Sequence, residues 1–219
     1  MNECKQCGTC CRKGGPALHK QDLPLLEEAG GIDITDIVTI RKGELAYNQP
    51  EGEVGPLQEE ILKIKGAGGT WSCKFLSPST QVCRIYKNRP LECRKLFCGD
   101  TEPLLEIYNK DRISRRDLLP EGHPVLELIA EHDSKCSPER MAELAAEAIE
   151  HWNKAENLKA DLREILIYDK SIRDLVVEKT GLPAEAMDFF FGRSASIVLK
   201  GYGIIATANG NSFSLRKSS

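Results

Sequence analysis

The sequence predicts an α+β fold that is mostly helical: a small irregular cysteine-rich metal module with a short antiparallel β-hairpin or meander, then a C-terminal helical extension. Three observations predict it. Eight of the nine cysteines fall within the first 98 of 219 residues, among Gly- and Pro-rich turns. From residue 137 onward apolar residues recur at helical spacing, as at Met141, Leu144, Ala145, Ala148, Ile149 and Trp152. Charge divides the same way: residues 1–98 hold 14 basic and 12 acidic side chains, residues 99–219 hold 16 and 21. The chain is therefore read as a cysteine-rich metal-binding module over 1–98 and a mainly helical extension with a short β-prone tail over 99–219.

The elements follow in order. Residues 2–16 form a Cys- and Gly-rich loop. Asp22 suits the N-cap of a short helix stopped by Gly30 and Gly31. Residues 35–42 suit a second short helix, or a strand, because Ile37, Val38 and Ile40 are β-branched. Residues 48–56, with two Pro and two Gly, read as a loop. Residues 60–65 and 70–75 read as two strands joined by Gly66-Ala67-Gly68-Gly69, and 82–86 as a third. Pro90 suits the first turn of a helix carrying Cys93 and Cys98. Residues 102–115 are predicted helical. Ser137-Pro138-Glu139 combines a capping hydroxyl, a first-turn Pro and an acid near the positive end of the dipole. Residues 158–167 and 171–179 continue helical up to Gly181, and Pro183 starts a short helix through Phe191. Residues 197–208 are β-prone, Asn209-Gly210 is a hairpin-type turn, and 209–219 are expected to fray.

Composition excludes several classes. With 41% hydrophobic and 29% charged residues the chain is globular rather than disordered. No apolar run approaches the ~20 residues that span a bilayer, so no membrane partner is expected. The opening Met-Asn-Glu-Cys has neither basic nor apolar signal features, which predicts a cytoplasmic protein. A net charge of −3 gives no strong nucleic-acid signal. Nine cysteines, an odd number, in such a chain point to metal rather than to a disulfide scaffold. No Gly-rich nucleotide motif, nucleophile elbow or metalloprotease helix is present, so no catalytic residue is assigned.

The candidate ligands form two groups. Cys4, Cys7, Cys10 and Cys11 belong to the run C-K-Q-C-G-T-C-C, where C-x2-C-x2-C matches the loops that hold three irons of a 4Fe–4S cluster with a remote fourth cysteine. Gly8 permits the tight backbone that turns the sulfurs inward. Adjacent side chains diverge, so Cys10 and Cys11 are not expected on one ion. Cys73, Cys83, Cys93 and Cys98 form the second group. Cys136 stands apart and reads as a buried small hydrophobe. Around the two groups, in 1–13 and 73–98, nine basic residues face two acids, a balance that offsets thiolate charge or docks an anionic ligand. Arg84 and Arg94 are the candidates for such binding, because a planar guanidinium suits carboxylate or phosphate. His19, His123, His132 and His151 are scattered and read as surface or capping residues, with His19 and Asp22 placed just behind the first cysteines. Phe189–Phe191 and Trp152 read as helix packing.

The run C-K-Q-C-G-T-C-C, then C-K-F-L, C-R-I-Y and R-P-L-E-C-R followed by F-C, resembles the YkgJ-type cysteine-cluster (CxxCxxCC) family over roughly residues 2–98. The resemblance implies a zinc- or iron-chelating module with those eight cysteines as ligands. A related cysteine pattern occurs in flagellin lysine methylases, which extends the implication to methyl-transfer-like chemistry. Two readings follow. The first is a cytosolic protein holding an iron–sulfur cluster or clusters, or zinc, in support of redox or group transfer, with an anionic small molecule or a protein as partner. The second is a zinc-stapled binding module without catalysis. The C-x2-C-x2-C run favours iron–sulfur over zinc.

Overall fold

The computed structural model describes residues 4–27 and 31–218, so the expected positions Asn2 and Gly30 lie outside the described residues. In chain order the strands and helices are β1 (Ile37–Ile40), β2 (Leu45–Asn48), β3 (Glu53–Pro56), β4 (Ile61–Ile64), α1 (Leu91–Lys95), α2 (Glu102–Leu105), α3 (Arg115–Leu118), α4 (Val125–Lys135), α5 (Pro138–Glu150), α6 (Glu156–Thr180), α7 (Met187–Phe191), α8 (Ala195–Gly201), β5 (Ile204–Asn209) and β6 (Ser212–Lys217). Short 3-10 turns fill several gaps. The strands pair as β1–β4, β2–β3 and β5–β6. The fold is α+β and mostly helical, with small antiparallel hairpins, as the sequence predicts.

Contacts divide the chain into two units. The first joins residues up to Thr39 with Ile61–Leu118, and the second joins Ile40–Glu60 with residues from Leu119. This differs from a division after residue 98. Residues 99–118 pack in the first unit because Ile113 and Leu104 are buried there and Ile113 N–H donates to Leu18 O at 3.1 Å. Leu18, Ile37, Leu62 and Ile64 complete that core.

Several elements of the first unit are plainer than their sequence pattern. The ambiguous segment at 35–42 is a strand, as its β-branched residues allow. Residues 70–75 and 82–86 are not strands. Each reaches its neighbour through an isolated bridge, Gly66 to Cys73 and Leu76 to Cys83. Tight turns leave no length for a ladder. Asp22 is not the N-cap. It sits third in a 3-10 turn, Lys20–Leu26, and accepts the His19 N–H at 3.0 Å. The predicted 102–115 helix stops after one turn at Leu105.

In the second unit, residues 45–56 form a hairpin rather than a loop, with Tyr47 opposite Val54. Arg41 and Arg193 hold Glu44, fully buried, at 2.8 and 2.6 Å, and so fix the hairpin's base. The helices α5, α6 and α8 share a core of Met141, Ala145, Ala148, Leu162, Leu166 and Leu199. The predicted start of α5 is observed: Ser137 Oγ accepts the Arg140 N–H at 3.2 Å. The two predicted helical segments at 158–179 are one helix, α6, stopped by Gly181 at φ +70°. Of the β-prone residues 197–208, 197–201 belong instead to helix α8, because Ala195, Val198 and Leu199 bury one face. The tail does not fray: Asn209-Gly210 turns the chain and β6 pairs along β5.

Ser137→Ala removes the α5 cap. It is expected to destabilise the second unit by about 1 kcal/mol, read as a lower denaturation midpoint with an unchanged slope.

Candidate metal centre

The N-terminal loop curls on itself. Gly8 takes φ +70°, Arg12 N–H donates to Gly8 O at 2.9 Å, and a Cβ at residue 8 would stand 2.9 Å from Arg12 Nη1 and 3.2 Å from Gln81 O. Glycine is thus required for close approach as well as for conformation. The loop is stitched to the second cysteine group at three points. Cys73 N–H donates to Cys11 O at 2.7 Å, Tyr86 Oη–H to Cys4 O at 3.3 Å, and Arg12 Nη1 to Gln81 Oε1 at 2.8 Å. Cys73 and Cys83 lie either side of a turn closed by Ser77 N–H to Val82 O.

Cys93 arrives on α1. Buried Asp22 accepts the Leu91 N–H at 2.8 Å and so caps α1 from a distant segment. Glu92 Oε2 accepts the Ala17 N–H at 2.8 Å, and its other oxygen lies 3.4 Å from His19 Nε2. His19 is buried, with Nδ1 2.7 Å from Lys110 O. It occupies the cap position before the 3-10 turn Lys20–Leu26, as the capping alternative expects, and it is not at the surface. Cys98 is exposed and lies beyond α1, because the helix ends at Lys95 and residues 97–100 form a bridge.

Burial and neighbouring sulfurs set the thiol pKa values. Burial pushes the Cys93 thiol well up, and Cys73, Cys10 and Cys83 push it further. Cys73 is raised by burial, then by Cys83 and Cys10, although backbone N–H groups oppose this. Burial also raises Cys83, against Arg89 and Arg84, with Cys4 nearby. Cys10, at φ −68° and ψ −38°, precedes the 3-10 turn Cys11–Lys13. The two neighbouring thiols act chiefly on each other: Cys11 brings Cys10 down to about 6, and Cys10 drives Cys11 far up. Thr9 lowers Cys7, which is exposed and close to Cys10. The structure therefore brings Cys10, Cys11, Cys73, Cys83 and Cys93 together, with Cys4 and Cys7 at the rim.

This donor set fits a metal. Cys73, buried, and Cys83 and Cys93, half-buried, help hold each other's protons on, and a cation among them removes those protons and satisfies the sulfurs. All-sulfur donors suit zinc or iron–sulfur. Arg84 and Arg94 each donate to a backbone carbonyl at 2.7 Å, Lys74 O and Arg89 O, and Arg94 also lies 3.6 Å from Asp22. Their side chains tie the cysteine loops together.

A family model described as a "putative zinc- or iron-chelating domain" matches residues 3–113, just over half of the chain. The chain belongs to the CxxCxxCC family. The CxxCxxCC match runs past residue 98, as does the first unit, which continues to Leu118. Similarity also covers an uncharacterized protein, MJ0661, of Methanocaldococcus jannaschii, 35% identical over 91 residues, or 42% of this chain. The chain matches 41% of the length of that relative. No solved structure matches.

The pattern of CxxCxxCC cysteines is legible in sequence, but another cluster is not. Among the described residues, the ligand atoms of His132, Cys136 and Asp169 all lie within 4.8 Å of one another, and no trio of cysteine sulfurs meets that spacing. His132 is fully buried rather than at the surface, and Cys136 is buried as expected. The signal available was H-x3-C, one helical turn.

Gly66→Ala tests the Cys73 turn. A Cβ there would fall within bonding distance of Thr70 O, at 1.8 Å. The substitution is expected to open the bridge to Cys73, cost about 1–3 kcal/mol and lower bound metal, read by melting and by elemental analysis.

Proposed function

We propose that the first unit is a cytoplasmic metal centre whose thiolates hold an iron–sulfur cluster. Cys10, Cys11, Cys73, Cys83 and Cys93 are the ligand pool, with Cys4, Cys7 and Cys98 completing it. The observation that carries this reading is the mutual electrostatic influence of buried Cys73 and half-buried Cys11 and Cys93, thiols from three separate segments.

The C-x2-C-x2-C run supports iron–sulfur over zinc, because such loops hold three irons of a 4Fe–4S cluster. Such a cluster supplies one-electron redox chemistry or an anchor for group transfer. The chain's own residues set the site: Asp22 and Glu92 place α1, and Arg12, Arg84 and Arg89 offset thiolate charge. The basic surroundings suit an anionic small molecule or an acidic protein partner.

Anaerobic purification followed by iron, acid-labile sulfide and zinc analysis tests the assignment. Iron and sulfide in equal amounts are expected, and zinc without sulfide would replace the cluster with a zinc staple. Cys93→Ser should lose most of the bound metal, and full occupancy in that variant would remove Cys93 from the ligand set. Chelation should expose the first unit to protease while α5 and α6 stay protected, because structural metal contributes on the order of 10 kcal/mol to small metal domains. An unchanged digestion pattern after proven metal removal would contradict a folding role.

A further inference from the structure

We propose that His132, Cys136 and Asp169 form a second, mononuclear metal site of the zinc type within the helical unit, separate from the cysteine module. His132 lies in the last turn of α4 and Cys136 is the residue that ends it. Four residues apart, they share one helix face. Asp169 comes from the middle of α6. All three are buried, and their ligand atoms lie within 4.8 Å of one another. One nitrogen, one sulfur and one oxygen form a donor set for a borderline ion such as zinc. Three protein ligands leave a fourth position open.

The hydrogen bonds of His132 carry the inference. Its Nε2 lies 2.8 Å from Asp169 Oδ1, and its buried Nδ1 has no hydrogen-bond partner. Asp133 Oδ1 faces that Nδ1 at 3.7 Å. A neutral imidazole has one N–H to place. On Nε2 it reaches Asp169 and leaves the Nδ1 lone pair facing a carboxylate. On Nδ1 it points at Asp133, but then the Nε2 lone pair meets Asp169 Oδ1. A cation held by Nε2 and Asp169 removes the second conflict, and Nδ1–H turned to Asp133 removes the first. The outcome is the carboxylate–histidine–metal relay common at zinc sites.

The surroundings fit. Asp169 is kept ionised and oriented by Arg173 Nε at 2.8 Å on Oδ1 and by the Ala195 N–H at 2.9 Å on Oδ2. The Cys136 thiol has a weak partner, Ile165 O at 3.8 Å, and its proton leaves to solvent when the sulfur takes the ion. A dication with one thiolate and one carboxylate is neutral. Of the nearby guanidiniums, Arg41 lies between Glu44, which it shares with Arg193, and Asp133 at 3.6 Å, and Arg173 lies 3.8 Å from Asp188. A metal-free ion pair of Asp169 with Arg173 accounts for Asp169 alone, and it leaves Nδ1 of His132 unsatisfied. A cavity of about 230 Å³ borders Asp169, with Lys170, Arg173, Ser194 and Ser196 also in its wall.

The test loads full-length protein with Zn2+ and counts metal, iron and sulfide per chain in the unaltered protein, Cys136→Ala and His132→Gln. The expected result is one fewer zinc per chain in both variants, with iron and sulfide unchanged. Equal zinc in all three proteins overturns the site, whatever the cysteine module holds. Zinc-edge X-ray absorption on the unaltered chain covers the case in which a variant fails to fold. A shell mixing imidazole nitrogen with one sulfur supports the site, and a shell of sulfur alone, or no bound zinc, overturns it.

Discussion

Thiols held out of full solvent beside one another resist ionisation, and the architecture of the first unit is organised around that constraint. Burial and neighbouring sulfurs raise Cys93, Cys73 and Cys11 together. Three segments distant in sequence must still be brought to one place. The chain does this with few regular elements: isolated bridges at Cys73 and Cys83, a 3-10 turn at Cys11 and a single five-residue helix at Cys93. Side chains supply the rigidity that ladders would otherwise give. Asp22 caps α1, Glu92 ties it to Ala17, and Arg84 and Arg94 each close a loop onto a carbonyl. A cation among the sulfurs turns mutual opposition into attraction, so metal and fold are coupled.

The helical unit rests on different physics. Its core is apolar and continuous, from Met141 through Leu162 to Leu199. One polar seam crosses it, where Asp169 gathers His132, Arg173 and the Ala195 N–H. Arg173 also donates to the carbonyls of Met187, Phe191 and Gly192, so the same side chain secures the α7 end. Charge follows the division: residues 1–39 with 61–118 hold 16 basic and 12 acidic side chains, while the rest hold 14 and 21. The basic excess thus accompanies the thiols, where it offsets their negative charge.

Sequence reading succeeded where a local signal dominates. Ser137-Pro138, Gly181 and Asn209-Gly210 each act within a few residues, and each is found in its expected role. The two cysteine groups were equally plain, because no other chemistry explains such crowding. Reading failed where tertiary partners decide. The 45–56 hairpin carries Pro and Gly at loop frequency, yet Arg41 and Arg193 anchor it through Glu44. Residues 197–201 look β-prone but belong to a helix that buries one face. His132 and Asp169 are 37 positions apart, and nothing local announces that they meet.

The most direct measurement is cysteine alkylation of the anaerobically purified chain, mapped residue by residue before and after chelation. Without metal, Cys10, held near 6 by the Cys11 thiol, is the thiolate that should react fastest among the gathered cysteines. With metal bound, Cys10, Cys73, Cys83 and Cys93 should all be protected, and chelation should release Cys10 first. Rapid labelling of Cys10 in the purified chain, unchanged by chelation, would contradict the metal centre.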